Sequence, residues 1–132
     1  MNNSETDTVP QDKILIVDDE LDICYFLSKN LAKRNISTNY VHTLADAEKR
    51  LKEEMPSIIL LDNYLPDGFG INFISKIKDS YPDLDVVMIT AHDSSQDRAK
   101  AYGFGVDFFL SKPFTLAEVN SVIDLLLDSR KK

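Results

Sequence analysis

Tryptophan is absent from this chain of 132 residues, cysteine occurs once and histidine twice. The lone Cys24 excludes an internal disulfide and fits a reducing, cytoplasmic setting. Set among the apolar residues of a helical stripe, it reads as small core filler. His42 and His92 lie far apart and share no ligand-like spacing with other donors, which argues against a soft-metal centre of the zinc type. No apolar run approaches the ~20 residues that cross a bilayer. The opening MNNSETDTVPQD carries neither a basic region nor an apolar one, so it is not a secretory signal. Bases are scarce too, 15 against 22 acids for a net charge of −7. Nucleic acid binding begins with phosphate neutralisation, so this balance argues against it as the primary role. The basic end, Arg130-Lys131-Lys132, reads as a solvated terminus.

The remaining composition, 43% hydrophobic and 28% charged, is that of one globular domain large enough to bury a core without staples. Five β-rich runs recur: KILIV (13–17), STNYVH (37–42), SIILL (57–61), DVVMIT (85–90) and DFFLS (107–111). Four are nearly continuous in apolar residues, as strands covered on both faces should be, and the mixed second run suits an edge. Helical stripes lie between them: Ile23, Leu27 and Leu31; Leu44, Ala47, Leu51 and Met55; Ile71, Ile74 and Ile77. A weak stripe covers 94–104, and a clear one runs through Leu116, Val119, Val122, Ile123 and Leu126. Pro56, Pro82 and the pair Gly103 and Gly105 close the second, third and fourth helices. Thr115 with Glu118 has the form of a capping box. The pattern predicts an α/β domain of (βα)5 type, a five-stranded parallel sheet with helices on both faces. Such sheets bind ligands beyond the C-terminal ends of their strands.

At those ends stand Asp18-Asp19 before Glu20, Asp62 in SIILLDNYLPDGFG, Thr90-Ala91-His92, and Ser111-Lys112-Pro113. Either Asp18 or Asp19 can cap the first helix, but capping needs one acid and two are present. Three carboxylates on one small rim repel unless a cation compensates. Lys112 is one compensator and a hard divalent cation, magnesium or manganese, is another. Each residue alone has an ordinary explanation as cap, turn former, strand residue or surface lysine. Their coincidence at four successive strand ends does not.

ILIVDDE, IILLDNYLPDGFG, MITAHD and DFFLSKPF together resemble the signature segments of the receiver domain of bacterial response regulators, in order from about Lys13 to Asp128. The resemblance implies a flavodoxin-like strand order, with a polar tail over 1–12, the domain over 13–129 and the basic end over 130–132. It implies that Asp62 accepts a phosphoryl group. Asp19 and Asp62 would ligate Mg2+, with Asp18 acting through water and Tyr64 through its backbone carbonyl. Lys112 would contact the phosphoryl group, and Lys112-Pro113 would be a cis peptide. Thr90, beside Ala91, would supply the switch hydroxyl, and Phe109 the aromatic ring that moves into the space Thr90 vacates. The face of the fourth helix, fifth strand and fifth helix would then re-pack.

The resemblance also implies partners: a histidine kinase or a phosphotransfer protein upstream, an unidentified protein or attached output domain downstream, and a homodimer on phosphorylation. The chain stops soon after the last helix, which leaves two expectations open. One is a free-standing receiver; the other is the N-terminal piece of a DNA-binding regulator. Phe109 stands where many relatives carry tyrosine, and Tyr64 and His92 are bulky neighbours of the acceptor and switch positions, which predicts a longer-lived phosphoryl state. A phosphatase of the haloacid dehalogenase type would need an acid at Tyr64. An electron carrier on a flavodoxin scaffold would need a phosphate cradle where DDELD stands. A receiver-like docking module without phosphorylation is disfavoured by the complete acidic set.

Overall fold

The computed structural model describes residues 12–130. Apart from Asp12 and Arg130, the polar tail and the basic end lie outside the described residues. Five strands, β1 (Asp12–Val17), β2 (Ile36–Val41), β3 (Ile58–Asp62), β4 (Asp85–Thr90) and β5 (Phe108–Ser111), pair in parallel in the order β2-β1-β3-β4-β5. Five helices follow them in turn: α1 (Leu21–Ala32), α2 (Leu44–Glu53), α3 (Ile74–Ser80), α4 (Ser95–Gly103) and α5 (Leu116–Arg130). This is the flavodoxin-like architecture.

Period-two alternation divides each central strand between two cores. Leu15, Val17, Ile59, Leu61, Val86 and Met88 pack with Ala47 and Leu51 of α2, Ile74 and Ile77 of α3, and Ala101 of α4. Ile14, Ile16, Ile58, Leu60, Val87 and Ile89 pack on the other face with Cys24, Leu27 and Leu31 of α1 and Val119, Val122, Ile123 and Leu127 of α5. Because both faces are covered, the middles of the central strands β1, β3 and β4 are wholly apolar, and their polar residues stand at the strand ends.

Local structure departs from the sequence reading at four points. The second stripe stops short of Met55, because α2 ends at Glu53 and Met55 is exposed. The third begins with a 3-10 turn, Gly70–Phe73, before α3 proper. A small antiparallel hairpin, Tyr64–Leu65 with Gly68–Phe69, fills the loop after β3. The first helix has Glu20 at its N-cap with no side-chain cap, so neither Asp18 nor Asp19 serves there; Asp18 instead accepts the backbone N–H of Glu20 itself at 2.9 Å. The capping box of α5 is as expected, with Thr115 N–H donating to Glu118 at 2.8 Å and Glu118 N–H to the Thr115 hydroxyl at 3.1 Å. At the far end of α5, Arg130 donates to the backbone carbonyl of Asp83 at 2.7 Å and to the carboxylate of Asp85 at 3.2 Å.

Two glycines separate packing from propensity. A Cβ on Gly70 would overlap the carbonyl oxygen of Asp62, whereas one on Gly103 would meet nothing within 4 Å. Gly70→Ala should lower unfolding free energy by about 1–3 kcal/mol through overpacking. Gly103→Ala should raise it by about 0.4–1 kcal/mol through the unfolded state. Urea titrations of the two variants check both signs.

Candidate functional site

Parallel pairing brings every strand's C-terminal end to one rim. The register places Val17 beside Leu61, Asp62 beside Ile89, and Thr90 beside Ser111, so the residues that follow or end these strands are neighbours. Asp18 and Asp62 are 3% and 6% exposed, and Lys112 reaches both. Its ammonium lies 2.9 Å from Asp18, 2.6 Å from Glu20 and 3.6 Å from Asp62. The peptide joining Lys112 to Pro113 is cis.

The main chain under these groups is tied down. Asp18 donates its N–H to the carbonyl of Val41 at 3.1 Å. Its own carbonyl accepts from His42 Nδ1 at 2.9 Å and from the Cys24 thiol at 3.3 Å. Asp62 accepts the N–H of Asn63 on Oδ1 at 2.9 Å. Burial pushes the Asp62 carboxyl up to about 6, with the nearby Asp18 charge adding to the rise and Lys112 and the Asn63 N–H offsetting only part of it. Asp18 is raised as well, chiefly by burial. Burial also works to lower Lys112, but its bonds to Glu20 and Asp18 outweigh that and raise it, so it stays an ammonium.

Asp19, Glu20, Asp62, Lys112 and Ala91 line a cavity of about 270 Å³, with the rings of Tyr64 and His92 on its wall. Those two rings lie 4.1 Å apart, and Phe69 meets Tyr64 edge-on at 5.3 Å. Thr90 is buried, and its hydroxyl accepts the His92 N–H at 3.2 Å. Phe109 stands apart from the cavity. It is only 3% exposed, part of the core, with the Arg98 guanidinium 4.7 Å above its ring. Arg98 is held by both oxygens of Asp93, which also accepts the Ser111 hydroxyl.

The carboxylate oxygens of Asp18, Glu20 and Asp62 fall within 4.8 Å of one another. Hard oxygens with one ammonium among them suit a hard divalent cation better than zinc or copper. The structure thus adds Glu20 to the site, whereas Asp19 is exposed on the cavity wall and outside this close group. Glu20 was visible in sequence only as the third acid of DDE. Two other residues, Asn63 and His42, were not singled out for the rim, because nothing in their spacing announces burial or a bond to the main chain.

Doubly wound α/β domains bind ligands at the C-terminal rim of the sheet, and in this one that rim carries buried acids and one lysine. The family model for the response regulator receiver domain matches residues 14–124, and the chain belongs to that family. It is 33% identical over 118 residues to the response regulator PilR of Pseudomonas aeruginosa, covering 89% of this chain and 26% of that protein. It is 30% identical over 111 residues to the DNA-binding transcriptional regulator NtrC of Proteus hauseri, covering 84% of this chain and 24% of that one. The chain thus spans about a quarter of the length of these relatives. Among solved structures, the beryllofluoride-activated NtrC4 receiver domain dimer matches with a TM-score of 0.86 at 37% identity, over 90% of this chain and 98% of that one. A two-component response regulator from Clostridium difficile matches with a TM-score of 0.89 at 26% identity, over 92% and 100%. The domain is therefore a receiver of two-component signalling, a switch module. No helix among the described residues is long and apolar enough to cross a membrane.

The raised acid at position 62 makes a thermodynamic prediction. Its native pKa lies above the ordinary carboxylate value of 3.8, so the folded state binds more protons than the unfolded one between that value and about 6. Stability from this group therefore rises as pH falls through about 6 and is lowest above it. In chelator, Asp62→Asn should melt about 5 °C higher than the parent above neutrality. That gap should close below about 6, and calorimetry across pH would show it.

Proposed function

We propose that this receiver takes a phosphoryl group from a phosphohistidine onto Asp62. One observation carries the reading: Asp62 is buried at the wall of an open cavity, yet Lys112 stands 3.6 Å from it while bonding more closely to Asp18 and Glu20. The acceptor is thus near a positive charge without being locked in a tight ion pair. A carboxylate oxygen of Asp62 attacks phosphorus in line, the P–N bond to the donor imidazole breaks, and the imidazole leaves with the electron pair. The product is an acyl phosphate. Such transfers need positioning and charge neutralisation more than covalent help.

Asp18, Asp19, Asp62 and the Tyr64 carbonyl would hold Mg2+ or Mn2+, with Glu20 close by. The ion would supply positive charge to the equatorial oxygens. Lys112 contacts the same oxygens, the Ala91 backbone offers a donor, and the Thr90 hydroxyl turns from His92 toward the new group. Phe109 lies inside the core beneath the Arg98 guanidinium, and as Thr90 moves this ring moves with it and the face of α4, β5 and α5 re-packs. The adjoining Tyr64 and His92 rings, tilted against each other, shield the anhydride from water and lengthen its life. Upstream partners are a histidine kinase or a phosphotransfer protein, in the cytoplasm. Downstream, the likeness to NtrC and PilR supports an attached output domain, and the NtrC4 dimer supports self-association on activation.

Intact mass after incubation with magnesium and a small acyl phosphate tests the acceptor. One added phosphoryl group is expected, lost in Asp62→Asn and in chelator; no addition to a folded parent would instead favour a docking module that is never phosphorylated. Tyr64→Asn should release the group several times faster than the parent by the same assay, and an unchanged rate removes the shielding role.

A further inference from the structure

Four polar or charged residues are buried among those described: Asp18, Asp62, Thr90 and Asn63. The first three belong to the site already described. Asn63, 5% exposed, follows the acceptor directly. A buried amide is costly unless its hydrogen bonds are made. Here it bonds at three points. Its N–H donates to Asp62 Oδ1 at 2.9 Å, its backbone carbonyl accepts the N–H of Gly70 at 2.7 Å, and its side-chain Oδ1 accepts the N–H of Ile71 at 2.8 Å.

Gly70 and Ile71 open the 3-10 turn, so these two donors would otherwise have no partner at a helix start. One residue thus closes the loop 63–71 on itself from the acceptor side. The hairpin lies inside that closed loop, and so does the Tyr64 carbonyl. Gly70 completes the brace, since its missing Cβ lets the turn press against the Asp62 carbonyl. The far side of the loop is fixed separately: Asp67 accepts the N–H groups of Leu44 and Ala45 at 2.9 and 3.0 Å.

We propose that Asn63 is a positioning residue, which sets the Asp62 carboxylate and the Tyr64 carbonyl in register for a divalent cation and the phosphoryl group. This rests on the reading of Asp62 as acceptor. Residues that orient ligands from behind typically change metal affinity about 10–100-fold when removed. Leucine has the same branching and number of side-chain heavy atoms as asparagine, though more bulk, and accepts no hydrogen bond.

The test compares Asn63→Leu with Arg130→Ala, a destabilised control whose bonds lie at the opposite rim. Mg2+ is titrated by tyrosine fluorescence well below melting, and phosphorylation by a small acyl phosphate is followed by mass at saturating Mg2+. The chain has five tyrosines and no tryptophan, and Tyr64 lines the cavity. Asn63→Leu should weaken Mg2+ binding about tenfold and slow phosphorylation, while Arg130→Ala leaves both near the parent. Mg2+ affinity within twofold of the parent overturns the proposal, even where the melting temperature has dropped. If the parent itself gains no phosphoryl group, the acceptor reading fails, and the Mg2+ titration still decides the role of Asn63. Should Asn63→Leu not fold, amide exchange on the unaltered protein decides. Slower exchange at Gly70 and Ile71 on adding Mg2+ supports the coupling, and unchanged exchange refutes it.

Discussion

The Lys112 ammonium sits among three carboxylates, and the geometry of the whole rim follows from how it divides its attention among them. Two of these acids are almost wholly removed from water, an arrangement that is unfavourable without a counter-charge. One lysine cannot neutralise three ionised acids, and a further cation would offset the residual negative charge. Burial, with the neighbouring Asp18 charge adding to it, keeps Asp62 protonated more readily than an ordinary aspartate. The ammonium lies closer to exposed Glu20 than to Asp62, so Asp62 is near the positive charge without a tight ion pair.

What makes such a concentration of charge possible is the two-sided core. The strands bury their side chains on both faces, and their polar residues are pushed to the ends, where the chain first meets solvent. Five strands that run the same way then deliver those ends to one rim. The main chain at each end is secured by a different device: a histidine and a thiol at Asp18, a closed loop at Asp62, and the bond from Lys112 N–H to the Thr90 carbonyl between the last two strands. These bonds tie the main chain of the site to the continuous sheet beneath it.

Fold and chemistry were legible in the sequence to different depths. Apolar runs and helical stripes define the parallel sheet because burial on two faces is a strong compositional signal. The strand-end acids and Lys112 follow from the fold alone, since topology converts a position in sequence into a position in space. The shared role of Glu20 was not legible, as an exposed acid after DD looks the same whether or not a lysine reaches it. Nor was the clasp at Asn63, because a bond from a side chain to an amide eight residues on leaves no periodicity. The Arg98 guanidinium over the Phe109 ring is an encounter between a helix and a strand that spacing does not encode. The hairpin after β3 depends on two short strands whose pairing is stabilised by the loop they sit in.

The two ends of α5 are held differently, and this has a mechanical consequence. The start of the helix hangs from the short link after Lys112 and is closed by its own capping box, whereas Arg130 clamps the other end to the carbonyl of Asp83 and the acid of Asp85. With 15 residues, the helix is about 22 Å long. A rod fixed at one end turns any sideways push at the other into tilt, and a shift of about 1 Å near Lys112 becomes a rotation of about 3° over that length. Arg34 also holds the middle of the helix through Asn120 and Asp124, and its apolar face is buried against the sheet, so α5 resists such tilt along its whole length and not at Arg130 alone.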